Sequence, residues 1–600
     1  MICCLKAMLL RWMLVLSLPC FGAAPDGAAL YKERCAMCHD RSAETRAPAP
    51  AALRLMPAEN IVKSLESGLM KDQGAALSAA EKLSVAEFLS GKIGSSQSKM
   101  CTAAAFTMNG PQWNGWGADL SNTRYQPSGL TAAQVPHLKL KWAFAFPGTF
   151  VSNGPPVVVG RRVFVPSANR TIYSLDAATG CQYWSFQAEA PVRTAITIQG
   201  RNAFFGDRRG NAYALDVTTG ELLWKTHIDD QPRAGIVGAP VFYDGRLYVP
   251  LTDSEEGPSA NPTYECCSGR GALIALDAAT GKAIWKTYTI AEKAHITGKN
   301  ATGVQTWGPS GASIWSAPTI DAEHKLIYAG TGDNFSDPAT KSSDAVLAFD
   351  MNDGHIVWSK QLTEDDVFNM GCFEGLKHGC RPGETIGPDF DIGASPILVK
   401  LSGGKRVLLV SQKSGFVHGL DPDNKGEILW RTQIGHGTEL GGIQWGSATD
   451  GKNMYAALSD IGFLYLGTPP KRMLDPKAGG GLFALDVVTG AKVWQAAPPV
   501  CGERLNCSPA QSAAITAIPG AVFSGSADGH IRAYAAADGK VIWEFDTTRE
   551  FTTVSGVTAK GGSMDGPGPV VAGNMLFVPS GYAAWGGLPG NVLLAFTAER

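Results

Sequence analysis

Charged residues are scarce in this sequence, and neither sign predominates. Only 18% of the 600 residues are charged, and the net charge is −2 with a pI near 6.6. A nucleic-acid-binding protein normally carries a strongly basic surface, so this balance argues against that class. Beyond the first 24 residues, no run of about 18 apolar residues exists that could span a membrane. The rest of the chain is therefore expected to be soluble.

Glycine, proline and tryptophan are abundant instead. The chain contains 70 glycines, 36 prolines and 15 tryptophans. This composition favours many short strands and tight turns over helical bundles. A chain of this length is also too long for one ordinary core, so several domains or a repeat architecture are expected.

The first 24 residues have the pattern of a secretory signal peptide. Lys6 and Arg11 precede the apolar run Trp12–Cys20, and Gly22 and Ala24 suit a cleavage after Ala24. A retained membrane anchor is the alternative. We expect export to a bacterial periplasm, which is an oxidising compartment.

A haem-attachment motif follows this leader. Cys35, Cys38 and His39 form C-x-x-C-H in "YKERCAMCHD", the attachment motif of c-type haem. The two thiols can each add to a haem vinyl group, and the imidazole then ligates the iron from one face. The surrounding Ala-rich residues predict a small helical cytochrome c-like domain over 25–94.

The second axial ligand of this haem is expected to be a methionine. Met70 lies in the loop "SGLMKDQG", where small c-type cytochromes usually place theirs, and a thioether ligand raises the reduction potential. Met56 is the alternative. Residues 95–112 are small and polar and are interpreted as a linker.

A repeated motif occupies the rest of the chain. Each copy is an apolar strand, a turn with Asp and Gly, and a second strand that ends in tryptophan, as in "LDVTTGELLW". Seven copies end at Trp184, Trp224, Trp285, Trp358, Trp430, Trp494 and Trp543. With further strands between the copies, this pattern predicts the four-stranded blades of a β-propeller over 113–600.

Both ends of the repeat region are expected to share one blade. Trp142 ends a strand that has no hairpin before it, whereas the C-terminal "GNVLLAFTAE" is a strand with no hairpin after it. Joining them closes a ring of eight blades and removes its open edges. Spacing between tryptophans widens from Trp224 to Trp494, so the inserted loops there should form the binding face.

With these repeats, the chain resembles the quinoprotein alcohol dehydrogenases, which are eight-bladed propellers that hold pyrroloquinoline quinone (PQQ) and calcium. The resemblance covers about residues 110–600. A haem segment ahead of the propeller is similar to the domain order of the cytochrome-type polyvinyl alcohol dehydrogenases. Other quinohaemoprotein alcohol dehydrogenases carry their cytochrome after the propeller.

The resemblance implies a set of PQQ-binding residues. Cys266–Cys267 resembles the family's vicinal disulfide, which covers one face of the quinone, and Trp315 would cover the other. In methanol dehydrogenase relatives the cysteine pair lies about one blade earlier, where this chain keeps only an arginine. The remaining expected contacts are Arg193, Lys413, which matches the residue that hydrogen-bonds the quinone oxygens, and Trp445.

The resemblance also implies a calcium site and a catalytic base. The expected calcium ligands offer hard oxygen atoms and are Glu255, Asp333, Asn334 and Asp366. Asp366 is also the expected base that accepts the alcohol proton. Glu256 is the alternative to Glu255, and Asp365 the alternative to Asp366.

The cysteine count fits an oxidising compartment. Of thirteen cysteines, three lie in the first 24 residues, two attach haem and two are the vicinal pair. Six remain, and they can be assigned to the pairs Cys372–Cys380, Cys501–Cys507 and Cys101–Cys181.

These expectations combine into one function. The protein would oxidise secondary alcohols, with polyvinyl alcohol favoured by the resemblance, and pass electrons through its own haem to a soluble cytochrome-like acceptor. Small alcohols or sugars are alternative substrates. A non-catalytic propeller scaffold, of the outer-membrane assembly type, is the alternative from another class.

Overall fold

A computed structural model describes residues 25–41, 47–54, 56, 58–90, 99–372, 386–466, 471–504 and 507–598. The predicted signal peptide and Cys380 lie outside these residues. None of the helices within them is long and apolar enough to cross a membrane.

The N-terminal part is a small helical domain. Its helices are Gly27–Arg34, Ala36–His39, Pro50–Leu53, Ala58–Glu66, Lys71–Gly74 and Ala79–Ser90. Asp26 caps the first helix by accepting hydrogen bonds from the backbone of Ala28 and Ala29. Gly27 lets this helix approach Ala79–Ser90 closely, because a Cβ there would lie 2.1 Å from the carbonyl oxygen of Ser84. The predicted helical domain is confirmed.

The remainder is an eight-bladed β-propeller, as predicted. Each blade is an antiparallel sheet of four principal strands. Blades 1 to 4 consist of Val157–Val159, Arg162–Pro166, Thr171–Asp176 and Gln182–Gln187; Thr197–Gln199, Asn202–Gly206, Asn211–Asp216 and Leu222–His227; Val241–Tyr243, Arg246–Asp253, Ala272–Asp277 and Ala283–Tyr288; and Thr319–Asp321, Leu326–Gly330, Ala345–Asp350 and Ile356–Gln361.

Blades 5 to 8 complete the ring. They consist of Ile397–Lys400, Arg406–Ser411, Phe416–Asp421 and Glu427–Gln433; Ala448–Thr449, Asn453–Ala457, Leu482–Asp486 and Lys492–Ala496; Thr516–Ile518, Ala521–Gly525, His530–Ala535 and Val541–Asp546; and Val570–Ala572, Met575–Ser580, Val592–Thr597 and Lys139–Ala145. In blade 8, Lys139–Ala145 pairs with Val592–Thr597, so both ends of the repeat region share one sheet. The predicted closure is confirmed.

The repeated tryptophan joins each blade to the next. Trp184 packs on Gly220 in the turn of the following blade, and its Nε1 donates to the carbonyl oxygen of Val217 at 3.0 Å. Gly220 has a φ of 78°, which side-chain-bearing residues rarely adopt. The same packing joins Trp142 to Gly180. The Asp-x-x-x-Gly…Trp pattern is therefore a contact between blades as well as a turn signal.

Shorter strands accompany the blades. Gln112–Trp113 pairs with Val157–Val159 of blade 1, and Ala234–Gly235 pairs with Arg246–Asp253 of blade 3. The others form separate two-stranded sheets: His295–Lys299 with Gln305–Gly308, Ser310–Gly311 with Asn334–Ser336, Phe463–Leu466 with Lys471–Leu474, and Glu550–Thr552 with Thr558–Lys560. Single turns of 3₁₀ helix lie at Val135–His137, Pro258–Ala260, Ser402–Gly404, Pro422–Asn424 and Ala584–Gly586.

Disulfides fix parts of this framework. Cys101 is bonded to Cys181 and Cys501 to Cys507, as predicted. The first of these holds the described end of the predicted linker against blade 1, where the backbone of Cys101 donates to the carbonyl of Gln182 at 2.9 Å. This end of the linker is therefore part of the propeller surface.

Candidate active site

A cavity of about 460 Å³ opens on the propeller face that carries the long loops. Its lining has two chemically different sides, one acidic and one basic. The acidic side includes Asp253, Glu256, Asp333, Asp389 and Asp391, with one ammonium, that of Lys413. The basic side includes Arg193 and Arg208. Trp315 and Trp445 contribute indole rings to the same lining.

The acidic side is built around three buried carboxylates. Oxygen atoms of Asp333, Asp389 and Asp391 all lie within 4.8 Å of one another. The Nζ of Lys413 donates to Asp389 at 2.5 Å and to Asp391 at 3.2 Å, and the backbone N–H of Asp333 donates to Asp391 at 2.7 Å. Three carboxylates and one ammonium leave negative charge uncompensated in a buried place.

The pKa values of these carboxylates and of Lys413 are shifted by burial and by the excess of negative charge. Burial, followed by the charges of Asp391 and Asp389, raises the pKa of Asp333 well above its usual value. Burial likewise raises the pKa of Asp389, with Lys413 opposing the shift. Burial also opposes the charge on Lys413, but the two neighbouring carboxylates outweigh it and raise the pKa of its ammonium.

These residues fit a divalent cation. Oδ2 of Asp333 is buried and makes no hydrogen bond among the described residues. Carboxylate oxygens are the ligands that calcium prefers, and a cation here would neutralise the surplus charge. Asp333, Asp389, Asp391 and Glu256 are the residues that would hold it.

The basic side is a network around Arg193. Its guanidinium lies 4.0 Å from the ring centre of Trp445, whose Nε1 donates to the half-buried carboxylate of Asp565. Nη2 of Arg193 is buried and makes no hydrogen bond among the described residues. Burial, followed by the charge of Asp565, raises the pKa of neighbouring Tyr582 to about 12. An unpartnered guanidinium nitrogen beside a cavity fits an anionic ligand, and PQQ is a polycarboxylate.

Two tryptophans form the apolar surface between these sides. The rings of Trp315 and Trp445 meet edge to face, with centres 5.0 Å apart. Gly393 makes room for Trp315, because a Cβ there would lie 2.0 Å from the indole. Arg193, Trp315, Lys413 and Trp445, all expected from the sequence, are thus brought to one cavity, where a planar quinone fits.

The structure places Asp366, the expected catalytic base, outside the cavity lining. Asp366 is fully buried behind the cavity, and its carboxylate accepts from the backbone of Asp389 at 3.1 Å and of Phe390 at 2.7 Å. Its alternative, Asp365, does not line the cavity either. The carboxylates that do so in this loop are Asp389 and Asp391. Asp366 holds their loop in place.

Sequence reasoning missed Asp389 and Asp391, although a signal was present. The resemblance implies Asp366, which lies two residues before the aromatic Phe368. "PDFDIGAS" also places aspartates around an aromatic residue, and it directly precedes the first strand of blade 5. Asp253 was missed as well; burial, followed by the charge of Glu255, raises its pKa to about 7.

Two expected calcium ligands face away from the cavity. Glu255 is buried, and its carboxylate accepts from the backbone of Ser268 and Gly269 at 2.5 and 2.6 Å. Its neighbour Glu256 lines the cavity instead. Asn334 uses its side-chain amide to bond the carbonyl of Ser310 and accepts from Thr340, which leaves Asp333 as the cavity residue of that pair.

The vicinal cysteines are bonded to each other but do not line the cavity. Cys266 and Cys267 are buried and pack against Phe335 and Tyr264. Phe335 itself lines the cavity. The disulfide therefore supports the cavity wall from behind Phe335, and its direct contact with the quinone stays a prediction.

The haem motif lies in the helical domain. Cys35 is half-buried and Cys38 is exposed, and Nδ1 of buried His39 lies 2.7 Å from the carbonyl oxygen of Pro48. A hydrogen bond from Nδ1 leaves Nε2 available to ligate iron. Met70 and Met56 both pack against the same core as Cys35, so both sulfurs remain candidates for the second axial ligand.

Comparisons with known proteins agree with this architecture. A family model described as outer membrane protein assembly factor BamB matches residues 126–360, 252–441, 413–560 and 478–599. A model described as cytochrome c oxidase, cbb3-type, subunit III matches residues 22–89. A solved quinohemoprotein alcohol dehydrogenase, ADHIIG from Pseudomonas putida HK5, shares the fold with a TM-score of 0.61 and 20% identity, over 81% of this chain and 80% of that one.

Fold and cavity together define a quinoprotein-type propeller preceded by a cytochrome c domain. Relatives that match over nearly their full length identify a particular family within this class. A polyvinylalcohol dehydrogenase from Pseudomonas sp is 41% identical over 98% of this chain and 97% of its own length, and one from Sphingopyxis sp. (strain 113P3) is 40% identical over 96% and 93%. The chain belongs to this family, and it is a PQQ-dependent alcohol dehydrogenase.

Proposed function

We propose that this enzyme oxidises secondary alcohol groups of polyvinyl alcohol to ketones, with Asp391 as the base that accepts the hydroxyl proton. The observation that carries the role of Asp391 is its placement in the cavity, where the backbone of Asp333 and the ammonium of Lys413 orient its carboxylate. The full-length similarity to two polyvinylalcohol dehydrogenases supports the substrate.

PQQ, when bound, supplies the two-electron acceptor, and haem c supplies a one-electron exit. Residues of the chain itself bind the cofactor and the cation, exclude water and accept the proton. Arg193 and Lys413 would hold the quinone's anionic groups, and Trp315 would exclude water from the face that it covers. Asp333, Asp389, Asp391 and Glu256 would hold calcium, whose charge would offset the surplus negative charge of these carboxylates, and Asp391 would accept the hydroxyl proton.

The proposal extends to location, domains and acceptor. The leader-like first 24 residues and the disulfides support export to the periplasm. Residues 25–94 form the haem domain and 113–600 the catalytic propeller. A soluble cytochrome is proposed as the electron acceptor, because haem c releases electrons one at a time.

A substrate panel tests this function. The purified protein is supplied with PQQ and calcium, and reduction of haem c is followed spectroscopically after adding polyvinyl alcohol, pentane-2,4-diol, ethanol or glucose. We expect fast reduction with polyvinyl alcohol and with the secondary diol. If only ethanol or only glucose leads to haem reduction, the substrate is a small alcohol or a sugar and not polyvinyl alcohol. No reduction by any alcohol, with haem intact, would favour the scaffold function.

A further inference from the structure

A second, larger space adjoins the cavity. This groove, of about 1120 Å³, lies between the loops after blade 1, within blade 2 and between blades 2 and 3. Arg193, Arg208 and Ser254 line both the groove and the cavity, so the two spaces meet at these three side chains. Leu69 of the helical domain also lines the groove.

The groove carries an excess of positive charge. Besides Arg193 and Arg208, it is lined by Arg209 and Arg233, whose side chains are exposed. Among the described residues, neither Arg209 nor Arg233 forms an ion pair; Arg233 lies 5.8 Å from the ring centre of Tyr264.

The acidic residues of the groove do not offset these four arginines. Glu189 is paired with Lys225, which brings its own positive charge, and Asp230 lies 3.7 Å from His227. The whole chain has a net charge of only −2, so the positive field is a local feature. Charge of one sign along a concave surface attracts ligands of the opposite sign and accelerates their association.

We propose that the groove is the path by which anionic PQQ reaches the cavity, and that Arg209 and Arg233 accelerate its association without holding it afterwards. These two side chains line the groove but not the cavity, unlike Arg193 and Arg208. The inference rests on the proposed function, in which PQQ occupies the cavity. A neutral polyol would gain nothing from this field, so the charge favours the cofactor over the substrate as the groove's ligand.

Stopped-flow fluorescence tests the path. The full-length haem-containing protein is loaded with calcium, freed of PQQ and then mixed with PQQ. The signal is the loss of tryptophan fluorescence beyond the quenching by haem, and Trp315 and Trp445 in the cavity are expected to contribute to it. For the Arg209→Gln/Arg233→Gln protein we expect association about 5- to 10-fold slower at low ionic strength, with unchanged dissociation. At about 1 M salt the two proteins should bind PQQ at the same rate, because screening removes the field.

Two matched variants show whether slower association comes from the lost positive charge or from a disturbed structure. Arg201→Gln removes an arginine from the turn between Thr197–Gln199 and Asn202–Gly206, at the opposite end of the blade 2 strands, and should bind PQQ like the wild type. Arg209→Lys/Arg233→Lys keeps both charges and should restore the rate. Equal association by the Gln double variant, or a changed dissociation rate, overturns the proposed path. Absence of quenching in the wild type overturns PQQ binding itself, and with it the proposed function.

Discussion

Asp391 is the residue on which the proposed chemistry depends most directly. Replacing it with asparagine keeps the shape and the hydrogen bond from Asp333 but removes the proton acceptor. We expect Asp391→Asn to lower kcat/KM by about 10²- to 10⁴-fold, the usual contribution of a general base. Steady-state kinetics measures this loss, and fluorescence titration with PQQ shows that the cofactor still binds.

Asp366→Asn is the matched comparison for that variant. Asp366 accepts two backbone N–H groups and has no exposed surface in the cavity, so its amide would place an N–H group against another donor. We expect a lower melting temperature and a loss of kcat/KM of less than about tenfold. Equal losses of activity in the two variants would contradict the assignment of Asp391.

His418 gives the propeller a predicted sensitivity to acid. It is buried in blade 5, and neither ring nitrogen makes a hydrogen bond among the described residues. Burial, followed by the charge of Arg431, lowers the pKa of His418 to about 4. An unfolded chain binds this proton below about pH 6.5, so folding free energy is lost as pH falls from about 6.5 to 4, by about 3 kcal/mol in total.

His418→Leu tests this pH dependence. The variant should lose less stability than the wild type when the pH falls from 7 to 5, because leucine binds no proton in either state. Thermal unfolding of both proteins at the two pH values measures the difference. Parallel pH dependence in the two proteins would show that the buried histidine is not the source.

At the scale of the element, the glycine under each tryptophan controls how neighbouring blades meet. Gly220 and Gly245 have nearly the same φ, 78° and 75°, but different surroundings. A Cβ on Gly220 would lie 2.7 Å from the Trp184 ring, whereas a Cβ on Gly245 meets nothing within 4 Å. The two glycines therefore separate backbone strain from the contact between blades.

The alanine variants should differ accordingly. Gly245→Ala should lower the free energy of unfolding by about 1–2 kcal/mol, because alanine is strained in the left-handed backbone conformation. Gly220→Ala has the same backbone strain and also displaces Trp184, so we expect its free energy of unfolding to fall by about 2–5 kcal/mol in total. Thermal unfolding compares the two. A Gly220→Ala protein no less stable than Gly245→Ala would mean that the tryptophan contact contributes little.

This contact also explains why the propeller could be predicted from sequence. Turn, glycine and tryptophan recur in every copy of the repeat, because each copy must make the same contact with the next. The shared blade followed from two strands without a hairpin partner, the one that ends at Trp142 and the one at the C-terminus. Each of these signals is local in the chain, so no knowledge of the cavity was needed.

The cavity was less predictable because its residues lie on inserted loops. The resemblance implied Trp315 and Lys413, which lie close to the strands of blades 4 and 5. It also implied Glu255 and Asp366, but these lie on loops, where only packing decides which neighbouring carboxylate turns inward. The Cys266–Cys267 bond was implied by the resemblance, but its position behind Phe335 depends on the hairpin around Trp307, which long-range pairing sets.

At the scale of the whole molecule, Cys101–Cys181 fixes where the chain from the haem domain meets the propeller. The last described helix of that domain ends at Ser90, and the disulfide fixes the chain 11 residues later (101 − 90). Without it, this point of the chain is attached only by two backbone hydrogen bonds, from Cys101 to the carbonyl of Gln182 and from Gln182 to the carbonyl of Lys99, and the next paired strand, Gln112–Trp113, begins 22 residues after Ser90 (112 − 90). In the Cys101→Ser/Cys181→Ser protein, opening of these two hydrogen bonds doubles the tether between the two domains.

A doubled tether lowers the effective concentration of the haem near the cavity by about threefold. We expect haem reduction after alcohol addition, measured by stopped-flow absorbance, to slow by that factor in the Cys101→Ser/Cys181→Ser protein. Cys501→Ser/Cys507→Ser removes a disulfide that closes only a short loop within the propeller, and it should leave the rate unchanged. Equal rates in all three proteins would mean that contacts between the domains, and not the disulfide, hold the haem at its working distance.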